Sequence, residues 1–273
     1  MVVRQIYHKS LFRLMVPSLK WIIILIGLMY VLNMVLCYMD SPMEILSYLG
    51  GLSVLPFLFL LIATFALHLR LEHRMPLYYA MTVEVVNWLD YYAELTWDED
   101  GHFWSLMAIT LFALAVMVIS WLSRKNNGVG KPPVEMGGSP VLRPGDNDRL
   151  FYKMELSLLK IIPMLIAGMY MADTVLFCLD VSMALPSFFF GTSLLPLLFI
   201  YLSSFVFQFC EWHRIFIYYV FVINMLNYLS LFPAFCFDDD KMVAVHLIVA
   251  GACLFLALFL YVKSHQKTTP TTT

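Results

Sequence analysis

Charge is what this chain has least of. Lys, Arg, Asp and Glu make up 13% of its 273 residues, against 61% hydrophobic, and mean hydropathy is +0.79. Soluble domains carry about 25% charged residues, so this chain has too few to cover a water-facing surface. The net charge of −2 offers no basic field to nucleic acid. Cysteine is scarce as well. Five cysteines, an odd number with no C-x-x-C pair, indicate neither a disulfide framework nor a zinc knuckle. Cys178 and Cys236 could meet near the outer face, but apolar packing is the favoured reading. Enzyme signatures are missing: there is no P-loop, no dinucleotide fingerprint and no nucleophile elbow. The expectation is a non-enzyme with no cofactor and no metal. The basic start (Arg4, Lys9, Arg13, Lys20) leads into an apolar run without a small-x-small cleavage site, so it reads as a signal anchor.

What is present is a duplication. Laid over itself so that Leu19 falls on Leu159, the sequence aligns without a gap, and about a third of the pairs between 19–91 and 159–231 are identical. They include Lys20/Lys160, Tyr30/Tyr170, Gly51/Gly191, Ser53/Ser193, Pro56/Pro196, His73/His213, Arg74/Arg214 and Asn87/Asn227. So long a period suits a duplicated domain rather than a solenoid unit.

About 20 apolar residues cross a hydrocarbon core, and each half offers four such stretches. In the first they are 21–39, 45–69, 75–93 and 103–121. In the second they are 161–179, 185–209, 215–232 and 242–262. The turns between them alternate in charge. Lys20 precedes the first span, Asp40 and Glu44 follow it, and Arg70 and Arg74 follow the second. Asp98 to Asp100 follow the third, and Arg124 and Lys125 the fourth. Basic loops stay cytoplasmic, so both termini and the centre are predicted inside. The fold expected is an all-α polytopic membrane protein with eight transmembrane helices in two parallel four-helix repeats, located in the cytoplasmic (inner) membrane. Its halves would be related by an axis along the membrane normal. Residues 1–124 form the first repeat and 149–265 the second. The Gly- and Pro-rich stretch 125–148 is a flexible cytoplasmic linker, and 266–273 a disordered tail.

Three sets of residues could carry chemistry. The intramembrane polar set is Asn33 and Asp173 on the first spans, with Glu84, Asn87, Asn224 and Asn227 on the third. Buried polar groups at that depth face the bundle interior or water, so they serve either a transport path or helix packing. Glu84 stands out, because its partner in the repeat, Asn224, is an amide. The second set, His73 and Arg74 with His213 and Arg214, marks the inner end of the second span. It suits an anion or lipid-headgroup contact, or a plain positive anchor. The third is Pro56 and Pro196, expected to kink the second spans.

The stretch from Gly191 to Arg214 ends in F-x-F-C-x-x-H-R (Phe207, Phe209, Cys210, His213, Arg214) and is followed by Tyr218, Tyr219 and Asn227. In this it resembles small four-span membrane proteins of Bacteroides-type bacteria and their phages. Here the unit stands twice. The first half keeps His73 and Arg74 but has Leu69 and Arg70 where the second has Phe209 and Cys210. By association, the resemblance implies a holin-like role.

The function expected first is therefore a pore-forming or membrane-permeabilising module. The alternatives are a small-solute or proton-coupled transporter and a membrane scaffold. The lipid bilayer is the expected partner. The two repeats form an internal pseudo-dimer, further copies could join as a homo-oligomer, and nucleic acid is excluded.

Overall fold

The computed structural model describes residues 2–38, 49–93, 99–126, 146–177, 179, 189, 191–230 and 239–266. Asp40, Glu44, Asp98, Cys178, Asp180, Cys236 and Asp238 lie outside that set, as do most of the linker and the threonine-rich tail. The described residues form eight helices and no strands. They are α1 (Val2–Tyr38), α2 (Val54–Ala66), α3 (Leu71–Ala93) and α4 (Glu99–Asn126), then α5 (Asp146–Phe177), α6 (Leu194–Val206), α7 (Glu211–Ser230) and α8 (Asp239–Gln266).

Among the described residues, three segments are long and apolar enough to cross a membrane: Met15–Asn33 of α1, Met154–Leu176 of α5 and Lys241–Ser264 of α8. Shorter apolar stretches are α2, α6 and Trp104–Val116 of α4. Helices α3 and α7 hold the polar residues predicted for the third spans and fall below that apolarity.

The helices pack in a crossed pattern. Within each half the third helix lies on the first and the fourth on the third, giving α1–α3 and α3–α4, then α5–α7 and α7–α8. The second helices cross over: α2 packs on α5, α6 packs on α1, and α2 and α6 touch each other. The core follows from this crossing. Phe59 and Phe199, Leu19 and Leu159, and Leu77 and Ile217 are all buried to within 1%. The members of each pair stand 140 positions apart in the sequence.

Close approach is set by a missing side chain at one point. A Cβ on Gly27 would stand 2.6 Å from the Pro76 Cβ, so α1 and α3 meet there only because position 27 is glycine. Pro76 lies within α3, Pro17 within α1 and Pro163 within α5.

The second spans depart from expectation. The apolar run 45–69 predicts a continuous helix bent at Pro56. Instead the chain is extended at Gly51–Ser53, and α2 begins at Val54 with Ser53 as N-cap (φ −100, ψ 174). The second half does the same at Gly191–Ser193 (Ser193 φ −82, ψ 172). Pro56 and Pro196 are thus third residues of new helices, not interior kinks. Their missing N–H falls in the first turn, where no intrahelical partner exists. Each resulting helix has 13 residues, or about 20 Å, less than the roughly 30 Å of a hydrocarbon core.

Candidate functional site

The helix breaks create the centre of the molecule. An interrupted helix frees backbone groups, and buried ones must find partners. Leu52 and Thr192 form an antiparallel bridge between the two breaks. The Ser53 hydroxyl donates to the Gly191 carbonyl, and the Ser193 hydroxyl donates to the Gly51 carbonyl. Gly-x-Ser therefore acts as a reciprocal clasp between the two halves of the chain.

Tyrosines on α1 and α5 take the next amides of the breaks. The Leu52 N–H donates to the Tyr30 hydroxyl at 2.7 Å, and the Thr192 N–H to the Tyr170 hydroxyl at 3.0 Å. Each tyrosine passes its own proton onward to the third helix. Tyr30 donates to the Glu84 carboxylate. Tyr170 donates to the Asn224 side-chain oxygen at 3.2 Å, while the Asn224 amide donates to the Val220 carbonyl at 2.9 Å. The result is two matching relays, amide to phenol to side chain, that differ only at their ends. One ends in a carboxyl group and the other in an amide that cannot ionise. Tyr30 and Tyr170 are 5% and 8% exposed, so the middle member of each relay is buried, while Glu84 and Asn224 are part-buried.

Of the polar residues singled out from sequence, Glu84 and Asn224 are brought to this centre. Among the described residues, Asn33 and Asp173 carry no hydrogen bond to it, and the Asn33 side-chain oxygen is buried with no hydrogen-bond partner. Asn87 and Asn227 lie part-buried on α3 and α7, one turn beyond Glu84 and Asn224. The tyrosines are absent from the sets predicted from sequence. Their signal is there: Tyr30/Tyr170 is an identical pair three positions before Asn33/Asp173.

The second cluster ends α2 and α6. His68 (φ 49) and Gln208 (φ 54) are the left-handed residues that close these helices. The Leu69 N–H returns to Thr64 O at 2.9 Å and the His68 N–H to Phe65 O at 2.8 Å. Phe209 and Gln208 repeat this on Ser204 and Phe205 at 2.9 and 3.2 Å. This is the Schellman arrangement, usually closed by glycine. Arg74 donates to the same Thr64 carbonyl at 3.4 Å and stacks 3.9 Å from the Phe65 ring. Arg214 does so with Ser204 O at 3.4 Å and Phe205 at 4.2 Å. Both guanidiniums therefore tie the end of the second helix to the start of the third. His73 lies near Glu72 at 3.7 Å, as does Arg70 at 3.8 Å. His213 stacks on Trp212, with ring centroids 3.6 Å apart. Burial and the Lys160 charge push its pKa down to about 4. Among the described residues no three His, Cys, Asp or Glu side chains come together as metal ligands.

Small differences between the halves surround the centre. Tyr79 pairs with Thr110 at 3.0 Å, whereas the repeat equivalent of Thr110 is Ala250. A cavity of about 110 Å³ lies beside the second relay, between Leu49, Thr192, Phe221, Asn224 and Tyr228. Comparison with protein families, curated proteins and solved structures finds no match to the chain.

Proposed function

We propose that the chain is an inner-membrane protein of eight spans, two parallel four-helix halves about a pseudo-two-fold axis, and that it carries protons across the bilayer at a site centred on Glu84. The observation that carries this reading is the unequal pair of relays. A structural role is met by Asn224, which accepts from Tyr170 as Glu84 accepts from Tyr30. A carboxyl group in the same place adds only the ability to bind and release a proton. Intramembrane carboxyls are costly and mark proton or ion paths. Broken helices at the junction of two repeats are the usual setting for such sites. The recurrence of the same hydrogen bonds at equivalent positions of the two halves supports the duplicated architecture, and three long apolar helices support the membrane location.

The test reads membrane potential and entry of an excluded dye together, in cells expressing the chain, and then proton flux in proteoliposomes. Proton flux without dye entry, lost in Glu84→Gln while the protein still inserts, is the expected result. Flux unchanged by that substitution overturns the reading.

The permeabilising, holin-like reading is the second one. The fully buried residues where the halves cross, such as Phe59 and Phe199, leave a lesion to be formed by several copies rather than by one. The exposed apolar faces of α4 and α8, with Phe112 at 70% and Phe255 at 74%, favour it as places where copies could meet. Prompt dye entry insensitive to Glu84→Gln is its signature.

A further inference from the structure

The first half carries an apolar groove of about 180 Å³ between α1, α3 and α4. Its floor is Gly27, Pro76 and Ala113, small or ring-shaped residues that leave the space open. Ile24, Leu28 and Leu114 form its walls and are 38%, 56% and 47% exposed. The two polar side chains lining it need nothing from a ligand, since Tyr79 and Thr110 bond each other and Thr110 also donates to Leu106 O at 2.8 Å. Such a groove excludes water and favours hydrocarbon.

Beyond the residues that line the groove, the same ridge of α1 carries a charge. Lys20 stands one helical turn before Ile24 on α1, so it shares the ridge that runs along the groove. The side chain is part-buried, as expected of a lysine whose stem lies on apolar surface while its ammonium reaches the interface. Trp21 beside it is 64% exposed, the amphipathic ring of a membrane–water boundary. An apolar slot with a cation at the headgroup level matches one occupant, a bilayer phospholipid.

The second half differs where the groove would recur. On the floor Ala167 stands for Gly27, Phe216 for Pro76 and Cys253 for Ala113; on the walls Met164 stands for Ile24, Met171 for Val31 and Gly168 for Leu28, while Lys160 is retained. All three floor residues are larger in the second half, and the wall given by Leu28 is lost at Gly168, where a Cβ would meet nothing within 4 Å, so the charge persists but the slot's floor and wall do not.

We infer that the groove between α1, α3 and α4 holds one phospholipid, its acyl chain against Gly27, Pro76 and Ala113 and its phosphate on Lys20, with no counterpart in the second half. The inference rests on the membrane location and is independent of the proton path, so Glu84→Gln leaves it unchanged.

The test is native mass spectrometry of the full chain, extracted from bacterial membranes into mild detergent, with phospholipid counted per chain. One retained phospholipid is expected. Ala113→Leu, which places a side chain in the slot, lowers retention at least fivefold. Lys20→Gln lowers it about fivefold, the worth of one lysine at a phosphate surface. Phe112→Ala, on the adjacent lipid-facing surface, leaves retention as it was. In nanodiscs, a phospholipid carrying a diazirine in mid-chain labels 110–114 in preference to 250–254, and Ala113→Leu removes that preference. No lipid on the unsubstituted chain, equal retention by the groove variants, or equal labelling of the halves overturns the proposal. So does a second copy of the chain retained there in place of lipid, seen as a dimer mass that Ala113→Leu abolishes. If Ala113→Leu does not fold, Lys20→Gln decides by the same criterion.

Discussion

Ser53 and Ser193 hold each other's backbone: each hydroxyl donates to the glycine carbonyl two positions before the other serine. Neither bond exists within one half. The exchange joins two segments that are extended because their helices have been interrupted, and the donors satisfy carbonyls that the interruption released.

Replacing either serine with alanine leaves a glycine carbonyl without its donor. Ser53→Ala and Ser193→Ala should each destabilise the protein by about 1–2 kcal/mol. Because the two bonds flank one bridge, the double variant should depart from the sum by at least about 0.5 kcal/mol. Chemical unfolding in detergent of the three variants measures this. Strict additivity would mean that the bridge does not act as a unit.

The tyrosines should matter more than the groups they point to. Tyr30→Phe strands the Leu52 N–H in a buried site, and Tyr170→Phe strands that of Thr192, for a loss of about 1–3 kcal/mol each. Glu84→Gln keeps an acceptor for Tyr30, as Asn224 does for Tyr170, and should change stability by less than about 1 kcal/mol. Thermal unfolding of the three variants checks the order. A Glu84→Gln loss as large as that of Tyr30→Phe would make the carboxylate a structural requirement.

Two glycines give a matched pair. Gly27→Ala brings a Cβ to 2.6 Å from the Pro76 Cβ, and overpacking of that kind costs about 1–3 kcal/mol. Gly168→Ala meets nothing within 4 Å and should gain up to about 1 kcal/mol from helix propensity. Melting temperatures of the two variants should therefore move in opposite directions.

His68 and Gln208 adopt a backbone conformation that disfavours a Cβ. His68→Gly and Gln208→Gly should each be neutral or stabilising by up to about 1 kcal/mol, and His68→Val should destabilise. Unfolding midpoints decide it, and a clear loss on glycine substitution would assign the side chains a role of their own.

His213 predicts a pH dependence. With its pKa lowered to about 4 from 6.5, the folded state binds fewer protons than the unfolded state between those values. Stability is therefore full above pH 6.5, falls as the pH drops through the window, and levels off below about 4. The ring is only half-buried, so solvent screens much of the effect. The fall should shrink in His213→Gln, measured as the melting temperature between pH 7 and 4.

Much of this is legible in the sequence, for physical reasons. Of the eight apolar runs read as spans, those of α1, α5 and α8 form helices long and apolar enough to cross a membrane among the described residues, because length and composition alone mark such helices. The internal sequence match pairs Phe59 with Phe199 and Leu77 with Ile217 before any contact is known, and all four are buried. Pro56 misleads. A proline in an apolar run reads as a kink, but the interruption falls at Gly51–Ser53, where the backbone gains hydrogen bonds from Gly191–Ser193. Those partners belong to the other half, and no local pattern encodes them. The same holds for Tyr30. The sequence marks it only as identical with Tyr170, and it is the Leu52 N–H on one side and Glu84 on the other that give it a task. Sequence alone leaves Arg74 as an anion contact or an anchor. Its bond to Thr64 O and its stacking on Phe65 favour the anchor, a distinction that needs the three-dimensional course of the turn.

The crossed packing of α2 on α5 has a consequence for how the protein is made. Synthesis delivers Val54–Ala66 long before Asp146–Phe177, so while the intervening chain is being added the apolar α2 lacks the surface it finally covers. Two newly made first halves meeting in that interval present each other with unfilled places of the right shape. Folding is thus open to competition from a second copy's first half until the rest of the same chain arrives, and the length of the connection between the halves sets how long that interval lasts.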